Sequence, residues 1–390
     1  MHVLTKELSI TSVHYKKVLS VLKDAGGKAR VVGGAVRDNL LNRANSDIDI
    51  VVDLLPEQVM HILSKANMHV IPTGISHGTI TALLYNEKFE ITTLRKDVNC
   101  DGRHAEVEFT DDFMEDAARR DFTINALSYC PFENKIYDYF NGIEDLYNSK
   151  VVFIGQAKCR IQEDYLRILR FFRFSCYYAK VLDASGLSAC IELKENLTSL
   201  SKERIKLEMD KLVVADNGPN ILQKMFDYGI LQIIFPVVEF HHEEFQHSSS
   251  LLDVRYSLLF YHIKDLTLST LINLKFSRKE ANSILSLINF ARLEHNDFTL
   301  KKMWIENEDY EHYLMVLLAL GKINNSTVRN FDNLSVKPVF PLTGHDLHNL
   351  NIHGKNVGIL LTKLKDYWIK SNFITNKDQL LELLKGYNEN

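Results

Sequence analysis

The sequence predicts an α+β domain, a mixed sheet with helices, followed by an all-helical remainder. Three observations carry this expectation. Short β-branched and apolar runs alternate with helical patterns up to about residue 150. After Phe153 strand signals nearly vanish and helical periodicity persists. A chain of 390 residues is too long for one compact core and suits two or three domains.

Taken in order, residues 1–24 read as one amphipathic helix ended by Gly26-Gly27. Strand-like runs follow at 29–32, 48–52 and 80–85, and a fourth at 88–93 comes after the short turn Asn86-Glu87. Helical patterns lie between them at 36–41 and 56–66, and Pro56 suits the first turn of the latter. Beyond Phe153, helical periodicity is expected at 162–174, 201–214, 219–228, 251–262, 278–291 and 313–321. Residues 336–342, with Pro338 and Pro341, read as a linker before a last helical segment. The sequence has no internal repeat and no low-complexity tract.

Composition is ordinary, 46% apolar and 25% charged, with a net charge of −4. That charge argues against indiscriminate binding to polyanions but leaves room for a local basic face. Residues 158–211 carry 11 Lys and Arg against 8 Asp and Glu, a slight excess. No run of about 18 apolar residues exists, so no membrane span is expected. The first residues, MHVLTKELSI, lack the basic-then-apolar pattern of a secretory signal. The cysteines Cys100, Cys130, Cys159, Cys176 and Cys190 are odd in number and scattered without metal-ligand spacing. Together these features predict reduced thiols in a cytoplasmic protein.

A candidate site begins at Val31-Val32-Gly33-Gly34-Ala35-Val36-Arg37-Asp38, a Gly-Gly pair between a strand and a helix. Glycines let backbone approach a phosphate, a helix N-terminus offers free N–H groups to it, and Arg37 adds a cation. Alone, such a pair equally often merely turns the chain. Ten residues on, Asp47-Ile48-Asp49 opens the run 48–52. Positions i and i+2 of a strand share a side, so both carboxylates face one way while Ile48 and Ile50 face the core. Paired carboxylates repel unless a cation lies between them, and Mg²⁺ takes oxygen ligands while keeping positions open for phosphates. A lone Asp-x-Asp is more simply two solvated acids; beside Gly33-Gly34 and Arg37 the metal reading is preferred. Glu90 alternates opposite Phe89 and Ile91 and is either a third carboxylate of that site or an ordinary exposed strand residue.

These residues carry a resemblance. GGAVRDNLL (33–41) followed by SDIDIVV (46–52) resembles the signature of class II tRNA nucleotidyltransferases, the CCA-adding enzymes, and of their bacterial poly(A) polymerase relatives. EITTLR (90–95), RRDFTINAL (119–127), YFNGIEDLYNSKVVFIG (139–155) and EDYLRILRFFRF (163–174) fit in the same order, with a weaker LSKERIKLEM (200–209). LTGHDL (342–347) and GKNVGILL (354–361) resemble the family's end.

The resemblance implies an elongated multi-domain chain. It would have a nucleotidyltransferase head at 1–150, a helical neck with a nucleotide-selecting helix at 151–215, and a helical body and tail at 216–390. The body and tail would bind the tRNA acceptor arm and elbow through shape and phosphates. It implies that Asp47 and Asp49 bind two Mg²⁺ ions; Glu90 stays a catalytic candidate on the strand pattern alone. It assigns nucleotide contacts to Gly33, Gly34, Arg37 and Arg120, with Asp121 and Asn125 near the ribose. For Asp121 a helix N-cap ahead of Phe122 is the plain alternative. The block at Glu163 is implied to select the base through Asp164 and Arg167. Three residues apart on one helix, these two would share a face. An aspartate accepts and an arginine donates, which matches the amino donor and ring-nitrogen acceptor of cytosine and adenine and not the reversed edge of uracil and guanine. Arg170 is expected to contact phosphate or base; Arg173, a further step around the helix, is expected to point away from Asp164. Leu166, Leu169 and Phe172 would form the buried face. The partners implied are ATP, CTP and the tRNA 3′ end; no protein partner is evident in the sequence.

Other signals carry less. The run His241-His242-Glu243-Glu244-Phe245-Gln246-His247 fits no zinc spacing and reads as a solvated loop. His345-Asp346 stands without the further histidines of a metal phosphohydrolase and reads as a turn into a helix. Trp304 and Trp368 read as core residues. Three rival functions remain at this level. Poly(A) polymerase relatives usually carry a Gly-Arg/Lys-Arg-Phe block where this chain reads Pro72-Thr73-Gly74-Ile75-Ser76-His77-Gly78-Thr79. CC-adding forms lack the loop that residues 95–109 fill here, so full CCA or A-only addition is preferred. A non-enzymatic RNA-binding protein is disfavoured because every expected ligand is present.

Overall fold

The computed structural model describes residues 2–385 except 11, 13, 45–46, 101–104, 238 and 333–335. The chain divides into two compact units, Met1–Pro236 and Val237–Asn390.

In the first unit the elements run β1 (His2–Thr5), α1 (Tyr15–Asp24), β2 (Ala29–Val32), α2 (Gly34–Leu40), β3 (Ile48–Val52), α3 (Pro56–Lys65), β4 (His69–Gly74), β5 (Thr79–Leu84), β6 (Glu87–Thr93), β7 (Arg95–Cys100), β8 (Ala105–Phe109), α4 (Phe113–Ala118), β9 (Ser128–Cys130), β10 (Lys135–Asp138) and α5 (Gly142–Tyr147). Helices α6 (Ala157–Glu163), α7 (Leu166–Tyr178), α8 (Ala184–Leu193), α9 (Lys202–Val213), α10 (Gly218–Asp227) and α11 (Leu231–Ile234) follow. Among the described residues an eight-stranded sheet has the order β1-β10-β9-β2-β3-β6-β5-β4, and β7 and β8 form a separate hairpin. All its pairs are antiparallel except β3 with β6. That one parallel pair aligns Asp49 with Glu90, and the antiparallel pair β2–β3 aligns Val32 with Asp49. The predicted α+β head followed by helices is therefore the observed fold.

Three expectations of local structure are corrected. Residues 1–24 are not one helix. Residues 2–5 pair with β10, from His2↔Asp138 to Thr5↔Lys135, and the helix shrinks to α1, which buries Tyr15, Val18, Leu19 and Leu22. A sheet edge some 130 residues away satisfies the backbone of residues 2–5, and local periodicity does not report this. The segment 95–109 is a β-hairpin whose tip, 101–104, lies outside the described residues. The helix expected at 162–174 is two helices. Asp164 is extended (φ −156°, ψ 108°) and ends α6, and its Oδ1 accepts from the Leu166 amide at 3.1 Å at the start of α7. A short acidic side chain that captures a nearby N–H competes with the helix for it.

α7 buries Leu166, Ile168, Leu169, Phe171, Phe172 and Phe174. Phe122 and Phe153 meet as an isolated antiparallel bridge, with ring centroids 4.8 Å apart. Phe171 stacks on Phe153 at 5.6 Å. This aromatic cluster seats α7 against the segment carrying residues 120–125.

The second unit is helical among its described residues. It comprises α12 (His242–Gln246), α13 (Leu252–Phe260), α14 (Leu268–Asn273), α15 (Arg278–Ala291), α16 (Asp297–Glu306), α17 (Tyr310–Ala319), α18 (Asn325–Asp332), α19 (Gly344–His348), α20 (Lys355–Lys370) and α21 (Lys377–Lys385). The run at 241–247 is thus mostly α12, not the loop expected, and Phe245 is its buried anchor. Residues 336–340 hold no regular element, in keeping with a linker. Trp368 joins Leu347, Leu364, Ile369 and Leu380 in one core, and Trp304 is also buried. His345-Asp346 lies in α19, where Asp346 accepts from the Thr343 amide and pairs with Lys377, a capping role.

Candidate active site

At the end of β2 the chain turns at Gly33, whose φ of +65° favours glycine, and α2 starts at once. A Cβ on Gly33 would lie 3.6 Å from Arg120 Nη1, so the glycine keeps this backbone close to a cation. Arg37, 7% exposed, donates from Nε and Nη2 to the Asp38 carboxylate at 2.9 and 3.0 Å. Its Nη1 donates to Asn125 Oδ1 at 2.5 Å, and its guanidinium lies 4.2 Å from the Tyr178 ring centroid. The Tyr178 hydroxyl donates to Asp38 at 2.7 Å. Burial raises its pKa, Arg37 opposes, and the bond to Asp38 adds, which brings it to about 12.

β3 presents Asp49 outward between buried Ile48 and Ile50, with Asp47 exposed just before the strand. The strand-periodicity argument thus describes the observed faces. Glu90 faces the same way from β6 and reaches Lys88 at 3.8 Å. The Asp49 pKa is raised, by partial burial first, then by Glu90 and Asp47, while Arg120 opposes. Asp49 also keeps an open face to solvent, which screens the repulsion from Glu90 and Asp47. In the lining of the cavity they share, Asp47 and Asp49 offer carboxylate oxygens beside no imidazole or thiolate, hard oxygen chemistry that fits Mg²⁺.

Opposite stands a basic wall. Asp116 is nearly fully buried and binds Arg119 Nε at 2.8 Å and Arg120 Nη2 at 3.1 Å. Burial pushes its pKa up, but the Arg120 and Arg119 guanidinium groups prevail and hold it below the usual range. Asp121 Oδ1 accepts from the Phe122 amide and from Asn125 Nδ2, both at 2.9 Å, and Oδ2 accepts from Arg170 Nε at 2.7 Å. Burial again raises its pKa, and Arg170 with these hydrogen bonds overcomes it. The N-cap alternative for Asp121 is not observed: the short turn Thr123–Asn125 has Phe122 as its N-cap without a side-chain cap bond, and the amide that Asp121 holds is that of the adjacent Phe122.

The geometry differs from the expected Asp164–Arg167 pair on one helix face. Asp164 sits in the break between α6 and α7, and its Oδ2 accepts from Arg204 of α9 at 2.7 Å. Arg167 donates to Glu163 at 2.6 Å, to the Arg160 carbonyl at 2.8 Å and to the Arg119 carbonyl at 3.2 Å. A guanidinium held on three sides is a pre-aimed donor fork. Arg173 donates to Glu208 at 2.5 Å, and Arg170 shares that carboxylate at 3.6 Å.

A cavity of about 700 Å³ gathers Gly33, Gly34, Arg37, Asp47, Asp49, Arg120, Asp121, Asn125, Asp164, Arg167, Arg170 and Arg173. Two predicted residues are not in its lining. Glu90 borders an adjoining recess together with Asp47 and Asp49, and Glu163 stands behind Arg167. Eight Lys and Arg side chains line the cavity against five Asp, a positive bias inside a chain of net −4 that suits a triphosphate. Arg119, Phe174, Tyr177, Tyr178, Arg204 and Lys211 also line it and were not predicted. Arg204 falls within the 200–209 block and was legible there. Lys211 and the tyrosines had no sequence signal, because they enter through the packing of α7 on α9.

Comparison with known proteins follows this geometry. Residues 29–152 match the family described as the poly(A) polymerase head domain, and residues 182–241 match the probable RNA- and SrmB-binding site of polymerase A. The chain is similar to the human CCA tRNA nucleotidyltransferase 1, mitochondrial, at 36% identity over 91% of this chain and 86% of that one. It is 30% identical to the CCA-adding enzyme of Staphylococcus epidermidis, over 95% of this chain and 97% of that one. Its fold resembles that of the Bacillus stearothermophilus CCA-adding enzyme in complex with CTP. There the TM-score is 0.79 at 24% identity, with 96% and 98% of the two chains covered.

Proposed function

Since the chain belongs to the tRNA nucleotidyltransferase family of the CCA-adding enzymes and is a nucleotidyltransferase, we propose that it adds C, C and A to the tRNA 3′ end from CTP and ATP without a nucleic-acid template. The supporting observation is the single cavity. It has carboxylates Asp47 and Asp49 in its lining, a basic wall, and the Asp164 and Arg167 side chains. Asp47 and Asp49 would hold two Mg²⁺ ions, which would supply activation of the RNA 3′-hydroxyl and charge neutralisation of the triphosphate. The 3′-oxygen bonds to the α-phosphorus, the bond to the β-phosphate oxygen breaks, and pyrophosphate leaves. Arg37 and Arg120 orient the phosphates, with the Gly33-Gly34 backbone close beside them. Arg170, anchored by Asp121, offers its remaining donors on the nucleotide side. Asp164 accepts from the amino group of cytosine or adenine, and Arg167 donates to the adjacent ring nitrogen. Uracil and guanine would set donor against donor and acceptor against acceptor. Glu163 acts by aiming Arg167, and Glu90 tunes Asp49 from the neighbouring strand.

The proposed domains are a head at 1–150, a nucleotide-selecting neck at 151–215, and a tRNA-binding body and tail at 216–390. Among the described residues no helix is long and apolar enough to cross a membrane. Cys130, Cys159, Cys176 and Cys190 form no disulfide among the described residues, which suits a reducing compartment. We place the enzyme in the cytoplasm; organelle fractionation tests this against the mitochondrial name of the human relative.

The functional test supplies purified protein with tRNA lacking CCA, tRNA lacking only the final A, and an unrelated RNA, with each labelled triphosphate in turn. Incorporation of C, C and A that then stops is the expected result. A long A tail on any RNA identifies a poly(A) polymerase. Activity confined to tRNA ending in CC identifies an A-adding enzyme. Either outcome rejects CCA addition.

A further inference from the structure

The second unit holds a cluster that nucleotidyl transfer does not use. Glu239 and His241 precede α12, Glu244 lies in its first turn, and His262 follows α13. The imidazoles of His241 and His262 stack with centroids 3.9 Å apart and planes at 28°. Glu239 spans one edge of the stack, 3.6 Å from His241 Nε2 and 3.6 Å from His262 Nδ1. Glu244 spans the opposite edge, 3.2 Å from His262 Nε2 and 3.9 Å from His241 Nδ1.

A neutral imidazole has one N–H and one lone pair. The shortest of the four contacts puts the His262 proton on Nε2, donated to Glu244. Its Nδ1 lone pair then faces a Glu239 oxygen. The His241 nitrogens lie 3.6 Å from Glu239 and 3.9 Å from Glu244, both beyond hydrogen-bond range, so these contacts leave its tautomer open. On the Glu239 edge a carboxylate faces two ring nitrogens at 3.6 Å each, outside hydrogen-bond range, an arrangement that a shared cation would join. With neutral rings the four groups carry two negative charges and no positive one.

We propose that Glu239, His241 and His262 form a divalent transition-metal site of the zinc class. The ligand atoms of these three residues all lie within 4.8 Å of one another, the one such group of His, Cys, Asp and Glu among the described residues. Both 3.6 Å separations approach the roughly 3.4 Å between neighbouring ligands of a tetrahedral zinc with 2.0–2.2 Å bonds. Two imidazole nitrogens and one carboxylate favour zinc over magnesium, and a fourth position is left for water. Glu244 occupies the place of the outer carboxylate that accepts the remaining N–H of a metal-bound histidine and fixes its tautomer. Closing the rings on one ion needs a rotation of each; Glu239 and His241 are exposed, and His262 is half-buried. The bound ion would pin the entry of α12 to the exit of α13.

The test uses the full chain stripped with a chelator, with Mg²⁺ in excess to occupy the Asp47–Asp49 site. Zn²⁺ is titrated against a chromophoric chelator, and Co²⁺ is followed by its visible absorption. One Zn²⁺ per chain is expected, with a tetrahedral Co²⁺ spectrum and a rise in Tm on Zn²⁺ addition. The double variant His241→Ala/His262→Ala should lose at least about a hundredfold in affinity, together with the spectrum and the Tm rise. Glu239→Gln, which keeps both rings, should lose the site likewise, and Glu244→Gln should weaken it about tenfold. A His348→Ala/His353→Ala variant, which removes the imidazole pair near α19, should bind as the parent does. Circular dichroism and nucleotide incorporation by the stripped proteins report their folding. Equal Zn²⁺ binding by parent and by Glu239→Gln, or none by the folded parent, overturns the proposal.

Discussion

Asp49 concentrates the conflict between stability and function. Its pKa is raised, by partial burial first and then by Glu90, so the fold disfavours its charged form. The sign follows from linkage: a raised acid pKa destabilises the fold above that pKa, and the penalty fades as pH falls through it. Asp49→Asn is therefore expected to leave the metal-free Tm at pH 7 unchanged or higher. Nucleotide incorporation should fall about a thousandfold or more, the several kcal/mol that a metal centre supplies. A fall in Tm with retained activity would remove the metal role. At Asp164 the side chain has two structural duties besides any contact with a base, since it caps Leu166 and pairs with Arg204. Asp164→Ala discards all of them; Asp164→Asn keeps an acceptor for the Leu166 amide. Both variants should raise incorporation of UTP and GTP relative to CTP and ATP by about tenfold or more, and only the alanine variant should lose the ~1 kcal/mol of a cap. Unchanged selectivity in both would dismiss Asp164 from base choice.

Between elements, the turn from β10 into α5 shows how packing reaches the site. A Cβ on Gly142 would lie 2.2 Å from the Thr123 carbonyl oxygen and 2.7 Å from its carbon. Backbone, not a yielding side chain, opposes it. Thr123 stands between Asp121 and Asn125, which hold Arg170 and Arg37. Gly142→Ala should thus cost about 1–3 kcal/mol of stability, the range for overpacking, and raise KM for the nucleotide as well. Denaturant unfolding and initial rates measure both effects; a normal KM would mean that the clash relaxes away from the site. The sequence block 139–155 was legible as part of a family pattern, but the clash that requires its glycine was not. The residues in contact are 19 apart, and nothing in the local pattern marks the approach.

At the scale of the molecule, pH should act through the buried carboxylates of the first unit. Asp116 and Asp121 both titrate below the ordinary carboxylate range because their arginine partners outweigh burial. A depressed acid pKa contributes stability in full above the unfolded value, and this is lost as pH falls through the folded one. Thermal stability should hold down to the ordinary carboxylate range and then drop as pH descends further. Asp121→Asn should flatten that acid limb and lower the plateau, since Arg170 keeps its charge without its buried partner. Tm measured from pH 7 to pH 3 decides this; an unchanged acid limb would mean that Asp121 keeps an ordinary pKa.

What the sequence determined by itself was what short-range geometry controls. Alternation along 48–52 set Asp47 and Asp49 to one side, a Gly-Gly pair turned strand into helix, and the spacing of apolar residues defined the helices of the C-terminal part. The order of the motif blocks added the family and most of the cavity lining. The tertiary structure decided the partners. Asp164 is joined to Arg204 and not to Arg167, Glu163 stands behind the site, and residues 2–5 complete a sheet edge. His241 meets His262 across 21 residues of chain. Such pairings depend on which surfaces meet after helices and strands have formed, and a periodicity confined to a few turns carries no record of them.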